Sequence, residues 1–441
     1  MIRKTLTALL SAALLWAGLT GGGVAAAGVS TTPAATPQLA TSGTDGSIES
    51  VRQIIQCGGT MYAVGLFTGV KDAGTSATIA RSNAFAFSAT APYRTLPWNP
   101  STNGRVDTAA CTPDGHVLLG GSFTKAGGAT VSNLAKVDGV TGLNRGFGFQ
   151  PKGRVAHVEV VTDAGGVQHA LVGGYFTGLL DSRNPVTGAN DNYATPAISG
   201  TYVYANVSSH APRIWNMTVS PNGRAVLMTG VFTKVGGQRH EQVFRLNLNA
   251  GASAVSSWSP QDLYAHCAPV QPFYAQDAAF SPDMSQVYVV STGLRLASEI
   301  ALPASKRPAK RTGPCDAAMA FTAKEGAFTG HRWINYTGCD SLYSVAADAS
   351  TVFLGGHQKF ISNGEVCGGT APGPGGVVQP GLGAVEPATG VYQPSANRGR
   401  GLGAADMLRT TDGLWIASDN QDNTNTCAGV SGRMGICFLP N

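Results

Sequence analysis

Four copies of Gly-x-Phe-Thr recur along the chain, at Gly65-Leu66-Phe67-Thr68, Gly121-Ser122-Phe123-Thr124, Gly174-Tyr175-Phe176-Thr177 and Gly230-Val231-Phe232-Thr233, with the phenylalanines 53 to 56 residues apart. A period of this length marks one supersecondary unit used repeatedly, and such a unit must stack on its neighbours to bury its apolar faces. Weaker copies in the same frame stand at residues 289–293, 353–357 and 415–419, which makes seven. A turn signal precedes each copy, as in Pro113-Asp114-Gly115, Pro221-Asn222-Gly223 and Asp412-Gly413. Asp-Gly and Asn-Gly between apolar runs are hairpin signals. A short apolar strand lies ahead of each turn (51–55, 155–161, 342–346) and an alternating strand follows the Phe-Thr (134–137, 243–246, 382–385). A fourth strand then ends at an aromatic and a proline, as in Trp98-Asn99-Pro100, Phe149-Gln150-Pro151, Trp258-Ser259-Pro260 and Tyr392-Gln393-Pro394.

Four short strands per unit, seven times over, predict an all-β fold, a seven-bladed β-propeller of four-stranded blades over residues 51–441. Composition agrees. Only 12% of the residues are Asp, Glu, Lys or Arg, against about a quarter in ordinary soluble domains, because strands buried on both faces have little room for charge. A coiled coil or helical bundle, whose outer faces need charged residues at helical spacing, is excluded. Apolar content of 43% excludes disorder. The seventh copy ends after three strands at 434–439, so residues near 32–42 are expected to supply the fourth and close the ring, sparing the sheet an open edge.

Residues 1–27 read as a signal peptide: Arg3 and Lys4 precede an apolar run at 6–19, and Ala25-Ala26-Ala27 offers a cleavage site before Gly28. No later apolar run approaches the roughly 20 residues of a membrane span. Residues 28–50, small and polar at their start, are expected to comprise a linker and the ring-closing strand. The expected location is extracellular, without a membrane anchor. The formal net charge is only +5, which gives no electrostatic footprint for nucleic acid. The one basic cluster is Lys306, Arg307, Lys310 and Arg311. The excess of Arg over Lys, with much Ala and Gly, suggests a GC-rich bacterial genome.

Antiparallel order places the first-to-second and third-to-fourth turns of every blade on one face, and the remaining connections on the other. Long second-to-third connections are expected at 179–197, 293–314, 357–381 and 420–433, so that face is the expected interaction surface. The candidate binding set on it comprises Asp181, Asp191, Tyr193, His210, Tyr264, His266, Lys306, Arg307, Lys310, Arg311, His357, Asp419 and Asp422. Aromatic rings beside Asp, Asn and His suit a sugar or a protein partner. Eight cysteines in an exported chain imply disulfides. The repeat frame pairs Cys57 with Cys111, Cys267 with Cys315, Cys339 with Cys367 and Cys427 with Cys437. No clustered C-x-x-C spacing points to zinc. The oxygen-rich stretch 419–425 lacks the glycine and terminal glutamate of an EF-hand loop, so no metal or cofactor is expected, calcium there being the one alternative. Neither a nucleophile elbow nor a phosphate loop is present, so no catalytic residue is assigned.

The Gly-x-Phe-Thr copies, Asp/Asn-Gly turns and Trp-x-Pro ends resemble the secreted β-propeller repeat proteins of actinobacteria. The architecture is also similar to the lectin-like propeller subunits of antibacterial umbrella toxin particles. That resemblance implies a propeller that recognises a target-cell surface and docks onto a larger stalked partner; the propeller itself is expected to be a monomer. Two enzyme readings stand beside it. Asp138-Gly139-Val140-Thr141-Gly142 and Glu386-Pro387-Ala388-Thr389-Gly390 echo the Asp-x-x-Thr-Gly turn of quinoprotein dehydrogenases, although the tryptophan that should follow is absent. The other is a glycan hydrolase or lyase using paired carboxylates on the long-loop face.

Overall fold

The computed structural model describes residues 28–40, 48–204, 207–265, 274–293, 313–328, 330–364, 369–421 and 426–441. Among them, seven antiparallel sheets follow one plan, and the protein is a β-propeller. The first strands are Ser50–Cys57, Val106–Cys111, Val155–Thr162, Arg213–Val219, Tyr274–Phe280, Leu342–Ala347 and Asp406–Thr410. Each pairs with the strand that runs into the Gly-x-Phe-Thr position, and that strand pairs with a third. The expected fourth strand is reduced in three sheets to single bridges, Phe87 with Thr95, Val137 with Asn144 and Arg183 with Asn190. It is a true strand at Ala254–Val255, Trp333–Tyr336 and Tyr392–Gln393.

No single core holds these sheets together. Each large cluster of buried apolar side chains lies between two neighbouring sheets. Leu227 and Trp258 of the fourth sheet, for example, pack against Val289 and Phe321 of the fifth. Another cluster joins the last sheet to the first through Trp415, Ile436 and Phe438 against Val51, Phe67, Phe85 and Phe87. The repeated phenylalanines Phe67, Phe123, Phe176 and Phe232 are all buried. The tryptophans that close blades clip one sheet to the next. The Nε1 of Trp98 donates to the Asp138 carbonyl at 2.8 Å, Trp258 to Thr322 at 2.7 Å and Trp333 to Pro387 at 2.8 Å. Each acceptor lies at the end of the next sheet's third strand, or just past it, so the Trp-x-Pro signature is an inter-blade fastener.

First strands of consecutive sheets lie side by side, and that of the seventh lies beside that of the first. Residues 30–39 run antiparallel along the third strand of the seventh sheet. Ser30, Ala34 and Leu39 donate backbone N–H groups to Pro440, Phe438 and Met434. The strand residues of this segment, Gln38–Leu39, pair instead with Gly69–Lys71, part of a small separate sheet in the second-to-third connection of the first unit, so it touches both ends of the repeat array.

Disulfides join Cys57 to Cys111 and Cys427 to Cys437. Cys315 and Cys339 are also disulfide-bonded. Their expected partners Cys267 and Cys367 lie outside the described residues. No helix among the described residues is long and apolar enough to cross a membrane.

Candidate binding cavity

In six of the seven sheets the first strand carries one extra residue relative to the second. The register shifts lie at Val51/Gln53, Val106/Thr108, Val155/His157, Ile214/Asn216, Ala275/Asp277 and Leu342/Ser344. A bulge re-aims its side chain out of the sheet. The six bulged residues, Arg52, Asp107, Ala156, Trp215, Gln276 and Tyr343, all line one cavity of about 360 Å³, completed by Tyr175 and by Leu402, Ala405 and Asp406 of the seventh sheet. Every sheet thus contributes to a single site where the first strands begin, at the mouth of the ring on the long-loop face.

The repeat glycine explains the bulge. Gly65, Gly121, Gly174 and Gly230 stand opposite Val51, Val106, Val155 and Ile214. A Cβ on these glycines would meet the carbonyl oxygens of Ser50, Arg105, Arg154 and Arg213 at 1.9 to 2.3 Å. The inward fold of the first strand requires that missing atom. Gly230→Ala is therefore expected to destabilise by about 1–3 kcal/mol, read as a lowered thermal midpoint.

After the bulge six first strands carry a polar residue, Gln53, Thr108, His157, Asn216, Asp277 and Ser344, and the unbulged seventh begins with Asp406. Most of them reach the neighbouring sheet. Gln53 accepts from the Ala109 N–H at 2.7 Å and Thr108 from Val158 at 3.1 Å. Asp277 accepts from Val345 at 2.9 Å, and Asp406 of the last sheet from Ile54 of the first at 3.2 Å. Asn216 donates to Asp277 at 2.6 Å, and Ser344 donates to the Ala404 carbonyl at 2.9 Å. Burial pushes Asp277 up to about 7 and Asp406 up to about 6. Beside Asp406, His157 lies 3.1 Å from Glu159.

The cavity mouth is rich in arginine. Asp107 receives Arg105 at 2.9 Å and Arg154 through both carboxylate oxygens at 2.8 Å. Arg154 and Arg213 lie over the Tyr175 ring at 4.9 and 5.2 Å from its centroid. Trp215 packs edge-on against Tyr274 at 5.0 Å and donates to the Ala275 carbonyl. Burial, then the guanidinium of Arg105, lowers the pKa of Arg52 from its ordinary value.

Among the described residues expected to bind, only His210 stands beside this cavity. It lies 2.9 Å from Arg213 and edge-on to Tyr274, and burial lowers its pKa. Tyr264 is on the same face but farther out, under Arg239, and lines a separate groove with Gln238 and Gln261. His357 is held at the Gly401 carbonyl. Asp419 is buried and accepts from the Leu402 N–H, which makes it a brace for the loop.

Two expectations are corrected. Asp191 and Tyr193 lie on the tight-turn face, because the third strand of their sheet, Leu180–Arg183, begins directly after the Phe-Thr turn. Residues 179–197 therefore form no long second-to-third connection. Asp191 receives His169 and Ser182, while Tyr193 is buried, stacked on His169 and bonded to the Asn249 carbonyl. Asp181 is paired with Arg183 at 2.7 Å and does not line the cavity. His266, Lys306, Arg307, Lys310, Arg311 and Asp422 lie outside the described residues. Among the described residues no three His, Cys, Asp or Glu side chains are grouped to hold a metal ion.

No family model matches the chain, and neither does any curated protein. Solved structures similar to it include the WD40 β-propeller domain of Doa1, at 8% identity and TM-score 0.42, covering 92% of this chain and 97% of that one. The Dos1 propeller is another, at 8% identity and TM-score 0.44, covering 89% and 78%.

Proposed function

We propose that the protein is a secreted, non-catalytic recognition propeller that binds a glycan in the cavity at the mouth of the ring. The carrying observation is the convergence of all seven sheets on one cavity that sets Tyr175, Trp215 and Tyr343 beside Gln53 and Gln276. Rings that stack on C–H faces, next to amides that take hydroxyls, are the composition a sugar site needs. Export is supported by the n-region Arg3-Lys4, the apolar run at 6–19 and the disulfides. In this reading the propeller acts as a monomer and takes the role of a lectin-like subunit of a larger secreted particle, with its long-loop face toward the target.

The quinoprotein reading loses its motif to a structural role. The Asp138 carboxylate accepts from the N–H groups of Val140 and Thr141 and from Arg145, closing a third-to-fourth turn. Asn184-Pro185-Val186-Thr187-Gly188 builds the same turn with Asn184 as acceptor. A hydrolytic reading would draw on Asp406, an acid that burial pushes up to about 6 at the cavity wall. Polysaccharide turnover that is lost in Asp406→Asn while binding persists would establish it over the lectin reading.

Binding to immobilised glycans, followed by titration of the strongest hit, tests the proposal. Trp215→Ala and Tyr175→Ala are each expected to weaken that hit by roughly tenfold or more. Both residues are only partly buried, so the thermal midpoint should move little. Unchanged affinity in both variants sinks the assignment of the cavity.

A further inference from the structure

Three guanidinium groups, those of Arg52, Arg105 and Arg154, gather around the mouth of the cavity near the single carboxylate of Asp107. Arg105 and Arg154 are both paired with it. Arg52 is not: its Nε is buried without a hydrogen-bond partner, and no ion pair to its side chain occurs among the described residues. The bulge at Arg52 turns this side chain into the cavity, and the deeper acids Asp277 and Asp406 are already engaged by backbone N–H groups. Arg52 is half-buried, and the acids nearest it, Asp107 and Asp419, are engaged by Arg105, Arg154 and the Leu402 N–H, so its guanidinium lines the cavity without a carboxylate bonded to it, an arrangement that favours an anionic ligand. A guanidinium fork matches a planar carboxylate, bidentate and with charge assistance.

We infer that the glycan unit seated in the cavity is an acidic sugar, a uronate or another carboxylated residue, whose carboxylate pairs with Arg52. Tyr175 and Trp215 then supply the faces on which the ring of that sugar rests, and Gln53 and Gln276 supply amides for its hydroxyls. The inference rests on the glycan reading above and narrows it to one ligand class. It also assigns a binding role to Arg52, whose guanidinium forms no ion pair with a carboxylate among the described residues.

The experiment compares uronate-bearing and sialylated oligosaccharides with their carboxyl-reduced counterparts and with sulfated ones, using the intact protein. Carboxylated probes are expected to bind at least about tenfold more tightly than the reduced forms, with affinity falling as salt rises. Arg52→Gln should remove that advantage, weakening the carboxylated probes far more than the reduced ones, and keep or raise the thermal midpoint. Arg52→Lys should restore part of it. Equal binding of carboxylated and reduced probes overturns the acidic-sugar inference while leaving the glycan reading standing. Preference for sulfate over carboxylate also overturns it. Failure of every carbohydrate probe to bind removes the glycan reading itself. A marked fall in the midpoint of Arg52→Gln would show that the arginine serves the fold.

Discussion

Trp258→Ala is expected to cost about 3–5 kcal/mol of stability, as a large buried aromatic truncated to alanine does. Trp258 is fully buried at the junction of the fourth and fifth sheets, against Val289, Met319 and Phe321. Its loss also strands the Thr322 carbonyl, which accepts its Nε1 at 2.7 Å. Each sheet is held chiefly by its two neighbours, so the damage should spread through the ring. Chemical denaturation should show a lower midpoint, or a second transition as the fifth sheet separates. A shift below about 1 kcal/mol would mean that the blade interface is not where stability lies.

The second large effect is a pH dependence carried by Asp277 and Asp406. Burial raises both above the ordinary carboxylate value, to about 7 and about 6, and for Asp277 the nearby Asp406 adds to the rise. The folded chain therefore holds protons that the unfolded chain releases near pH 4. Stability is full below the unfolded value and is lost as pH rises through the two folded values. Between about pH 5 and about pH 8 the loss is on the order of 3 kcal/mol. An opposite set limits the acid side. Hydrogen bonds from Gly251, Val167 and Gly165 outweigh burial at Asp163, and hydrogen bonds from Ser281 and Ser285 act on Asp283. Both are held low, so their stabilisation is lost as pH falls below the ordinary carboxylate range. Maximum stability is expected near about pH 4, around the unfolded carboxylate value. Asp277→Asn should flatten the alkaline slope. Above about pH 7 it should also lose the bonds that the ionised carboxylate accepts from Asn216, Ala278 and Val345, since an amide cannot accept them all. A midpoint that rises between about pH 5 and about pH 8 in the native protein would refute this account.

Particular residues show how far the sequence could be read. The Gly-x-Phe-Thr period announced the blades because a buried Phe and a glycine pressed against a carbonyl leave the same mark in each unit. Trp98 and Trp258 were legible as blade ends, although their role in bonding the next sheet was not. Polar and aromatic residues are common on the long loops whether or not they bind anything, so they do not mark the cavity. Its signal lay in the first strands, where an apolar residue, a variable one and a polar one recur as Val51-Arg52-Gln53, Val106-Asp107-Thr108 and Ile214-Trp215-Asn216. A polar residue inside an otherwise apolar buried strand must find a partner, and here the partner is the next sheet.

Sequence alone determined the local unit: its strands, its turns, the compulsory glycine and the aromatic that ends it. These are set by steric and burial demands acting within some tens of residues. Tertiary structure decided which residues meet. Arg52, Asp107, Trp215, Gln276 and Tyr343 are far apart along the chain and share one cavity because the sheets pack side by side and each first strand bulges at the same point. The face reached by Asp191 and Tyr193 was decided in the same way, by a third strand that starts as soon as the Phe-Thr turn ends. Proximity between units is a property of their stacking, and no single unit carries it in its own residues.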